Sequence, residues 1–298
     1  MTPPALDSDL DAEDNAAIEN ALNSDDLAAY MPADLIHDGG VILFRTLANR
    51  EEPKPKQAQT EPVADTAEAP NEWRRVEGRK GGRQVNMRRE APAEPSINTE
   101  GRRAKVQVRY NVAGRFIVKA NGREVTKQFN QLFTRTFRFK LQNDRWQLAE
   151  LTPLQHESQG GRSGVDISRV AVYQGDAAQP LHELNGDMDR PIAPDRIPTI
   201  APGASVRLEV TASQKNGAAP YVYAYVVGQT DRARLALRDD GTLGDRTAGD
   251  GIFTGTITVP STPGLRHLGI DVLNPAAFQP AGLVRSNGLG LSFRVQAP

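Results

Sequence analysis

Residues 239–255 read DDGTLGDRTAGDGIFTG, and this stretch decides how the last part of the chain folds. Glycine adopts backbone conformations with positive φ, and aspartate side chains accept hydrogen bonds from nearby backbone N–H groups. The interleaved Asp and Gly residues therefore predict a structured turn at the surface. The apolar alternation that follows, from Ile252 to Val259, predicts a strand that leaves this turn.

The turn lies within a series of short segments in which apolar and polar residues alternate. Such alternation places the apolar side chains on one face of a strand, and Gly and Pro between the segments favour turns. The predicted strands are Val165–Tyr173, Val206–Ala212, Tyr221–Val227, Ala233–Leu237, Ile252–Val259, Leu265–Leu273 and Gly290–Gln296. Seven short strands in this length predict an antiparallel β-sandwich.

The Asp/Gly stretch resembles the DDG..GD..AGDGIYTG signature of bacterial immunoglobulin-like domains of the choice-of-anchor type. The next residues, VPSTPGLRHLGIDVLN at 259–274, are similar to the strands that follow in that family. The resemblance covers about residues 200–296. It implies an Ig-like fold, an extracytoplasmic setting and a role without catalysis.

Two interpretations of the Asp/Gly stretch stay open. Ca²⁺ prefers about six to eight oxygen ligands, which carboxylates on a glycine-rich backbone supply. The candidate ligands are Asp239, Asp240, Asp245 and Asp250. Their spacing differs from that of an EF-hand, and the alternative is turn chemistry alone, in which the carboxylates bind backbone N–H groups. No other cofactor is predicted.

Residues 105–151 predict a four-stranded antiparallel meander with one apolar and one basic face. Asn121-Gly122 is a strong hairpin signal, because both residues tolerate positive φ. Residues 11–31 predict helices that cover the apolar face, with acidic residues in the first turn, where the helix dipole favours them.

Acidic helices followed by strands that end in FKLQNDRWQLAELTP, residues 139–153, resemble the NTF2-like superfamily. The resemblance implies an α+β cone with a concave pocket, used for catalysis, ligand binding or dimerisation. The expected fold is mainly β, with an NTF2-like domain at 1–154, a linker at 155–164 and an Ig-like sandwich at 165–298. A polar, proline-rich insertion at about 51–104 is predicted to be flexible.

The charge is distributed unevenly along the chain. Residues 1–40 hold ten Asp or Glu and no Lys or Arg, whereas residues 73–145 hold nineteen Lys or Arg and six Asp or Glu. A basic block of this kind is typical of polyanion binding. The candidate contacts are Arg109, Arg138, Lys140 and Arg145. A solvated face, or pairing with the acidic N-terminus, is the alternative explanation.

Several classes of protein are disfavoured by composition. The chain has no cysteine, its four histidines are scattered, and no segment approaches the ~20 apolar residues of a membrane span. No catalytic residues are predicted, because neither a Ser–His–Asp set nor an acid/base pair is recognisable from spacing. The start lacks the features of a signal peptide. We expect an extracytoplasmic protein whose signal peptide was removed, with a cytoplasmic protein as the alternative.

The favoured prediction is a non-enzymatic, exported module for binding, adhesion or assembly. Its expected partner is a protein or a cell-surface polymer. One alternative is an NTF2-like domain with a small-ligand pocket or a hydrolase- or isomerase-type activity. The other alternative is polyanion binding by the basic region 73–145.

Overall fold

The computed structural model describes residues 10–24, 27, 30, 73–80, 84–90, 102–120, 123–159, 164–215, 217–227 and 235–296, and side chains at 73–80, 88–90, 119, 120, 123 and 227 are not described. These residues form one helix and fifteen strands. The bounds are α1 Ala12–Leu22, β1 Trp73–Lys80, β2 Gln84–Glu90, β3 Arg103–Ala120, β4 Arg123–Gln142, β5 Arg145–Leu151, β6 Leu154–Ser158, β7 Val165–Gln174, β8 His182–Asn185, β9 Thr199–Ile200, β10 Ser205–Gln214, β11 Tyr221–Val227, β12 Leu235–Leu237, β13 Ile252–Thr258, β14 Gly264–Leu273 and β15 Ser286–Val295. In these ranges no helix combines the length and hydropathy needed to cross a membrane.

The last part of the chain is an antiparallel sandwich, as predicted. A small sheet has the strand order β13-β10-β7-β8, and it packs on the β15-β14-β11-β12 part of a large sheet. Buried residues of both sheets, such as Leu208, Val210, Ile270 and Leu291, form the core between them. All seven predicted strands are present, with small shifts at their ends. Strand β8 was missed because its sequence, HELN, has no apolar alternation.

Strand β6 continues the large sheet beyond the sandwich. The full order is β1-β3-β4-β6-β15-β14-β11-β12, with β2 and β5 added on β3 and β4 and with β9 paired to β15. Residues 155–164, predicted as a linker, thus begin with a strand that is hydrogen-bonded on both sides. The domain boundaries at 1–154 and 165–298 stay a prediction, but a single sheet runs through both ranges.

Strands β3 and β4 form one long hairpin. They pair without interruption from Arg103 opposite Lys140 to Ala120 opposite Arg123, which confirms the hairpin predicted at 121–122. The prediction of four strands in 105–151 is wrong, because β3 continues through Gly114, which pairs with Phe129 and is buried. Both β1 and β2 pair with β3, so part of the range 51–104 is strand. The rest of that range lies outside the described residues.

Helix α1 covers the apolar face of this hairpin. The Asp11 side chain caps the helix by accepting a hydrogen bond from the Asp14 backbone N–H at 2.7 Å. Ile18 and Leu22 are fully buried against a cluster that includes Phe137. An NTF2-like cone is not supported, because among the described residues a single bounded helix covers the sheet, and the sheet runs on into the sandwich.

Different elements cover the two faces of the large sheet. The sandwich side faces the small sheet and carries Ile270 and Leu289, and the helix side carries α1. On the helix side, the turn end of the β3–β4 hairpin packs on the sandwich through the short helical turn Pro275–Phe278. The Phe278 ring contacts Phe116 at 5.6 Å and Tyr221 at 4.9 Å between centroids.

A buried row on the helix side crosses five adjacent strands. Cross-strand pairing aligns Tyr223, Asp271, Gly288, His156 and Phe133. His156 Nε2 lies 3.8 Å from Asp271 Oδ1, and both side chains are buried. A Cβ at Gly288 would lie 2.0 Å from His156 Nε2. Only glycine therefore lets the imidazole reach the carboxylate across the intervening strand.

The tyrosines of β11 occupy the same side. Tyr223 is fully buried, whereas Tyr221 and Tyr225 are half-buried. Tyr225 lies over its cross-strand partner Gly269, where an added Cβ would approach the ring atoms to 2.3–2.7 Å. The missing side chain of the glycine thus makes room for the aromatic ring.

We expect Gly269→Ala to lower the free energy of unfolding by about 1–3 kcal/mol, because the new methyl group overlaps the Tyr225 ring. Urea denaturation measures this. The same substitution in a Tyr225→Ala background is the control, since the three nearest atoms all belong to Tyr225. An equal cost in both backgrounds would show that the ring is not the cause.

Candidate functional sites: the Asp/Gly loop and the basic sheet face

The Asp/Gly loop, residues 239–251, joins β12 in the large sheet to β13 in the small sheet. Gly241, Gly249 and Gly251 have φ values of 73°, 75° and 81°. These conformations are accessible to glycine at little cost, and they let the backbone fold around the aspartates. The surface turn predicted from the sequence is therefore present, and it connects the two layers of the sandwich.

Asp239 organises one half of the loop. Its carboxylate accepts hydrogen bonds from the backbone N–H groups of Gly249, Asp250 and Gly251, at 2.8, 3.1 and 3.0 Å. Partial burial raises the pKa of Asp239 and outweighs the three hydrogen bonds, which lower it. The neighbouring Asp245 charge also raises this pKa. The carboxylate thus holds together both ends of the turn.

Asp245 organises the other half and is buried. Its carboxylate accepts from the Gly241 N–H at 2.6 Å and from the Thr247 N–H at 3.3 Å. Asp240 turns away and accepts from the Thr242 N–H at 2.9 Å. Burial works to raise the pKa of Asp240, but hydrogen bonds from Thr242 and the Arg238 charge outweigh it, so this pKa is lowered.

Three of the four predicted ligands come together. Carboxylate oxygens of Asp239, Asp245 and Asp250 lie within 4.8 Å of one another, whereas Asp240 is outside this group. The same carboxylates already accept backbone N–H groups, which is the chemistry of the turn interpretation. Calcium binding stays a prediction.

The basic sheet face comprises the charged residues on the sandwich side of β3, β4 and β5, past the edge of the small sheet. Pairing places Arg103 opposite Lys140 and Lys105 opposite Arg138. Arg109 lies on the same side of β3, and Arg145 starts β5. The structure thus gathers all four predicted polyanion contacts on one surface and adds Arg103 and Lys105, which the prediction did not single out. The complete set is Arg103, Lys105, Arg109, Arg138, Lys140 and Arg145.

Most of these cations are exposed and form no ion pair with a described carboxylate, although Glu90 of β2 lies opposite Arg103 in the register. Arg138 donates to the Glu150 carboxylate at 3.0 Å and is half-buried. The other five are exposed, and no carboxylate of a described residue forms an ion pair with them. Their charge is therefore available to a ligand.

The described histidines lie in structural settings. His156 pairs with Asp271 in the buried row, and His267 Nδ1 lies 3.1 Å from the Ser292 hydroxyl. His182 is on the edge strand β8, where burial and the nearby Arg190 charge lower its pKa. His37 lies outside the described residues. The contacts of His156 and His267 fill buried interfaces between strands.

A polar groove was missed from the sequence. It has a volume of about 170 Å³ and is lined by Leu132, Thr134, Gln155, His156, Glu157, Ile167, Met188, Asn287 and Leu289. Gln155 and Glu157 were the available signal, since residues two positions apart share one face of a strand. It was not used, because the Gly-rich stretch that follows favoured a linker.

We expect Asp239→Ala to lower the free energy of unfolding by about 1–3 kcal/mol, because three backbone N–H groups lose their carboxylate acceptor and only Gly249 keeps a second one, the Asp239 carbonyl at 3.3 Å. Asp250→Ala is the matched control, since the Asp250 carboxylate accepts only the Ile252 N–H among the described hydrogen bonds. Thermal or urea unfolding measures both. A smaller loss for Asp239→Ala than for Asp250→Ala would contradict the role given to Asp239.

The turn interpretation predicts that added Ca²⁺ leaves the melting temperature unchanged. A ligand that binds only the folded state raises the melting temperature by mass action, so a calcium titration separates the two interpretations. A rise that disappears in Asp245→Asn, with Mg²⁺ as the competing ion, would establish a metal site. Asp240→Asn is the control, since Asp240 is outside the cluster.

The comparisons with known proteins contribute no relative. The chain matches no family model, and no match was found among curated proteins or solved structures. The case for a function therefore rests on the register, exposure and charge of the described residues.

Proposed function

We propose that this chain is a non-enzymatic, exported binding module whose basic sheet face holds an anionic polymer. The observation that carries the proposal is the set of five exposed cations, Arg103, Lys105, Arg109, Lys140 and Arg145, without a described acidic partner. Such a surface attracts polyanions by direct contact and by release of their counterions.

Two arginines of the small sheet, in contrast, form ion pairs with nearby carboxylates. On the outer face of the small sheet, Arg169 donates to Glu183 at 2.6 Å and to Glu209 at 3.0 Å. Arg207 lies 3.7 Å from Glu209 and stacks over the Tyr173 ring. The small sheet thus pairs these two arginines with its own carboxylates, whereas five of the six cations of the basic sheet face form no ion pair with a described carboxylate.

The cross-strand register gives this face a cost in stability. Arg103 opposes Lys140, and Lys105 opposes Arg138. Glu150 offsets the charge of Arg138, and Glu90 of β2 lies on the other side of Arg103, so Arg103 and Lys140 form the clearest like-charge pair. Like charges directly opposite each other on a sheet are destabilising, because their side chains lie close together. A bound polyanion would remove this repulsion, so the arrangement favours binding over a merely solvated face.

The chemistry of the face favours recognition by charge. Its other described side chains include Gln107, Gln142 and Gln147, which donate hydrogen bonds but do not stack on bases. Tyr110 belongs to the apolar clusters of the helix side. Neighbouring positions on one face are spaced about 7 Å along a strand and about 5 Å between strands, which suits a chain of repeated negative groups. We therefore assign the partner class as an anionic polymer, whatever the chemistry of the polymer backbone.

The strand arrangement of the sandwich supports the proposal that the protein is exported. In chain order, β7, β10 and β13 take the places of strands A, B and E in one sheet, opposite β12, β11, β14 and β15 as C′, C, F and G. This division is compatible with an Ig-like sandwich. Together with the Asp/Gly resemblance, it favours an exported domain that presents the basic sheet face on a rigid body.

The test is binding of heparin and of inorganic polyphosphate, with uncharged dextran as the negative control. We expect both polyanions to bind and the affinity to fall about tenfold or more with a severalfold rise in salt, because counterion release drives the association. Affinity that does not depend on salt, or equal binding of dextran, would contradict the proposal.

The matched variants separate this face from overall charge. Arg103→Gln/Lys140→Gln should weaken polyanion binding without lowering the melting temperature, since it also removes a like-charge pair. Lys215→Gln/Arg246→Gln changes the net charge equally at two exposed sites in loops of the sandwich. Equal weakening by both double variants would show that net charge, and not this face, determines binding.

A further inference from the structure

The polar groove lies on the sandwich side of the large sheet, where the small sheet ends. Two cross-strand rows form its floor. One row is Thr134, Gln155 and Leu289, and the other is Leu132, Glu157 and Asn287, each with one residue from β4, β6 and β15. Antiparallel pairing fixes these neighbours, so the floor is preformed.

Ile167 of β7 and Met188, in the loop after β8, form the wall. The loop is fastened to the floor by a hydrogen bond from the Gln155 side-chain N–H to the Asp189 carboxylate. The groove is open to solvent on one side, and its volume of about 170 Å³ equals roughly five or six water molecules. It suits a small molecule or the end of a flexible chain.

Glu157 is the one carboxylate among the residues that line the groove, and the amides of Gln155 and Asn287 both donate and accept hydrogen bonds. Glu157 is exposed, and no described side chain pairs with its carboxylate. Asp189 contributes a second carboxylate at the rim. The Asn287 side-chain N–H donates to the Val165 carbonyl at 3.4 Å, which leaves its amide oxygen free to accept a hydrogen bond. Neither Lys nor Arg is among the residues that line the groove.

We infer that the polar groove binds a small organic cation with a primary ammonium group. The ammonium group has three donors and no acceptor, which matches the carboxylate of Glu157 and the amide oxygens around it. Leu132, Leu289 and Met188 supply apolar contact for a short methylene chain. An aliphatic diamine satisfies both requirements, with its second ammonium group close to Asp189 or in solvent.

The test uses cadaverine, with pentanediol as a neutral probe of the same length. The methyl resonance of Met188 in the full chain, labelled with ¹³C, reports on the wall of the groove. We expect a saturable shift with cadaverine, at a dissociation constant on the order of 1 mM or tighter, and none with pentanediol. The absence of a shift with cadaverine, or an equal shift with pentanediol, overturns the inference.

Two variants test the assigned residue. Glu157→Gln keeps the shape of the side chain but removes the charge, and it should weaken cadaverine binding about tenfold or more. Asp176→Asn removes an exposed charge from the loop after β7 and should leave binding unchanged. Equal affinity of Glu157→Gln and the wild type overturns the inference. Heparin binding by Glu157→Gln should not fall, so failure here is distinguishable from failure of the proposed function.

Discussion

The fold depends on strand β6, a strand of five residues that is hydrogen-bonded on both edges. Its pairing with β4 and β15 makes one sheet out of the long hairpin and the sandwich. A shift of one residue in this register would turn every side chain of β6 to the other side. His156 would then leave the buried row, and Glu157 would enter it, where burial of an unpaired carboxylate is strongly unfavourable.

The same register accounts for features on both sides of the sheet. On the helix side, it aligns His156 with Gly288 and Asp271, and it positions Arg135 for contacts that join three parts of the chain. Arg135 donates to the Thr152 carbonyl, the Ser292 hydroxyl and the Tyr30 carbonyl. Complete burial lowers its pKa to about 9, although its interaction with Tyr30 opposes this. On the sandwich side, the same pairing forms the floor of the polar groove.

Features that depend on local sequence pattern were predicted correctly. Strands that form only through pairing with distant parts of the chain were not. The Asp/Gly loop and the strands around it follow from alternation and from glycine conformations, so the sandwich was predictable. Strand β6 was not, because a short polar segment beside glycines becomes a strand only when β4 and β15 flank it. The prediction of four strands in 105–151 failed for the same reason, since the place of Gly114 inside β3 depends on Phe129, a partner fifteen residues away. The basic block was visible, but the sequence did not reveal which cations share one face.

Register also explains how two surfaces of opposite character lie on one side of the sheet. Arg109 of β3 pairs with Thr134 of β4, which pairs with Gln155 of β6, so the basic sheet face and the polar groove adjoin. Past the edge of the small sheet, β3 and β4 contribute cations to this side, whereas β6 contributes Glu157. Oppositely charged groups about 10 Å apart interact weakly across water at physiological salt. The basic sheet face therefore attracts anions and the polar groove attracts cations, and neither surface neutralises the other.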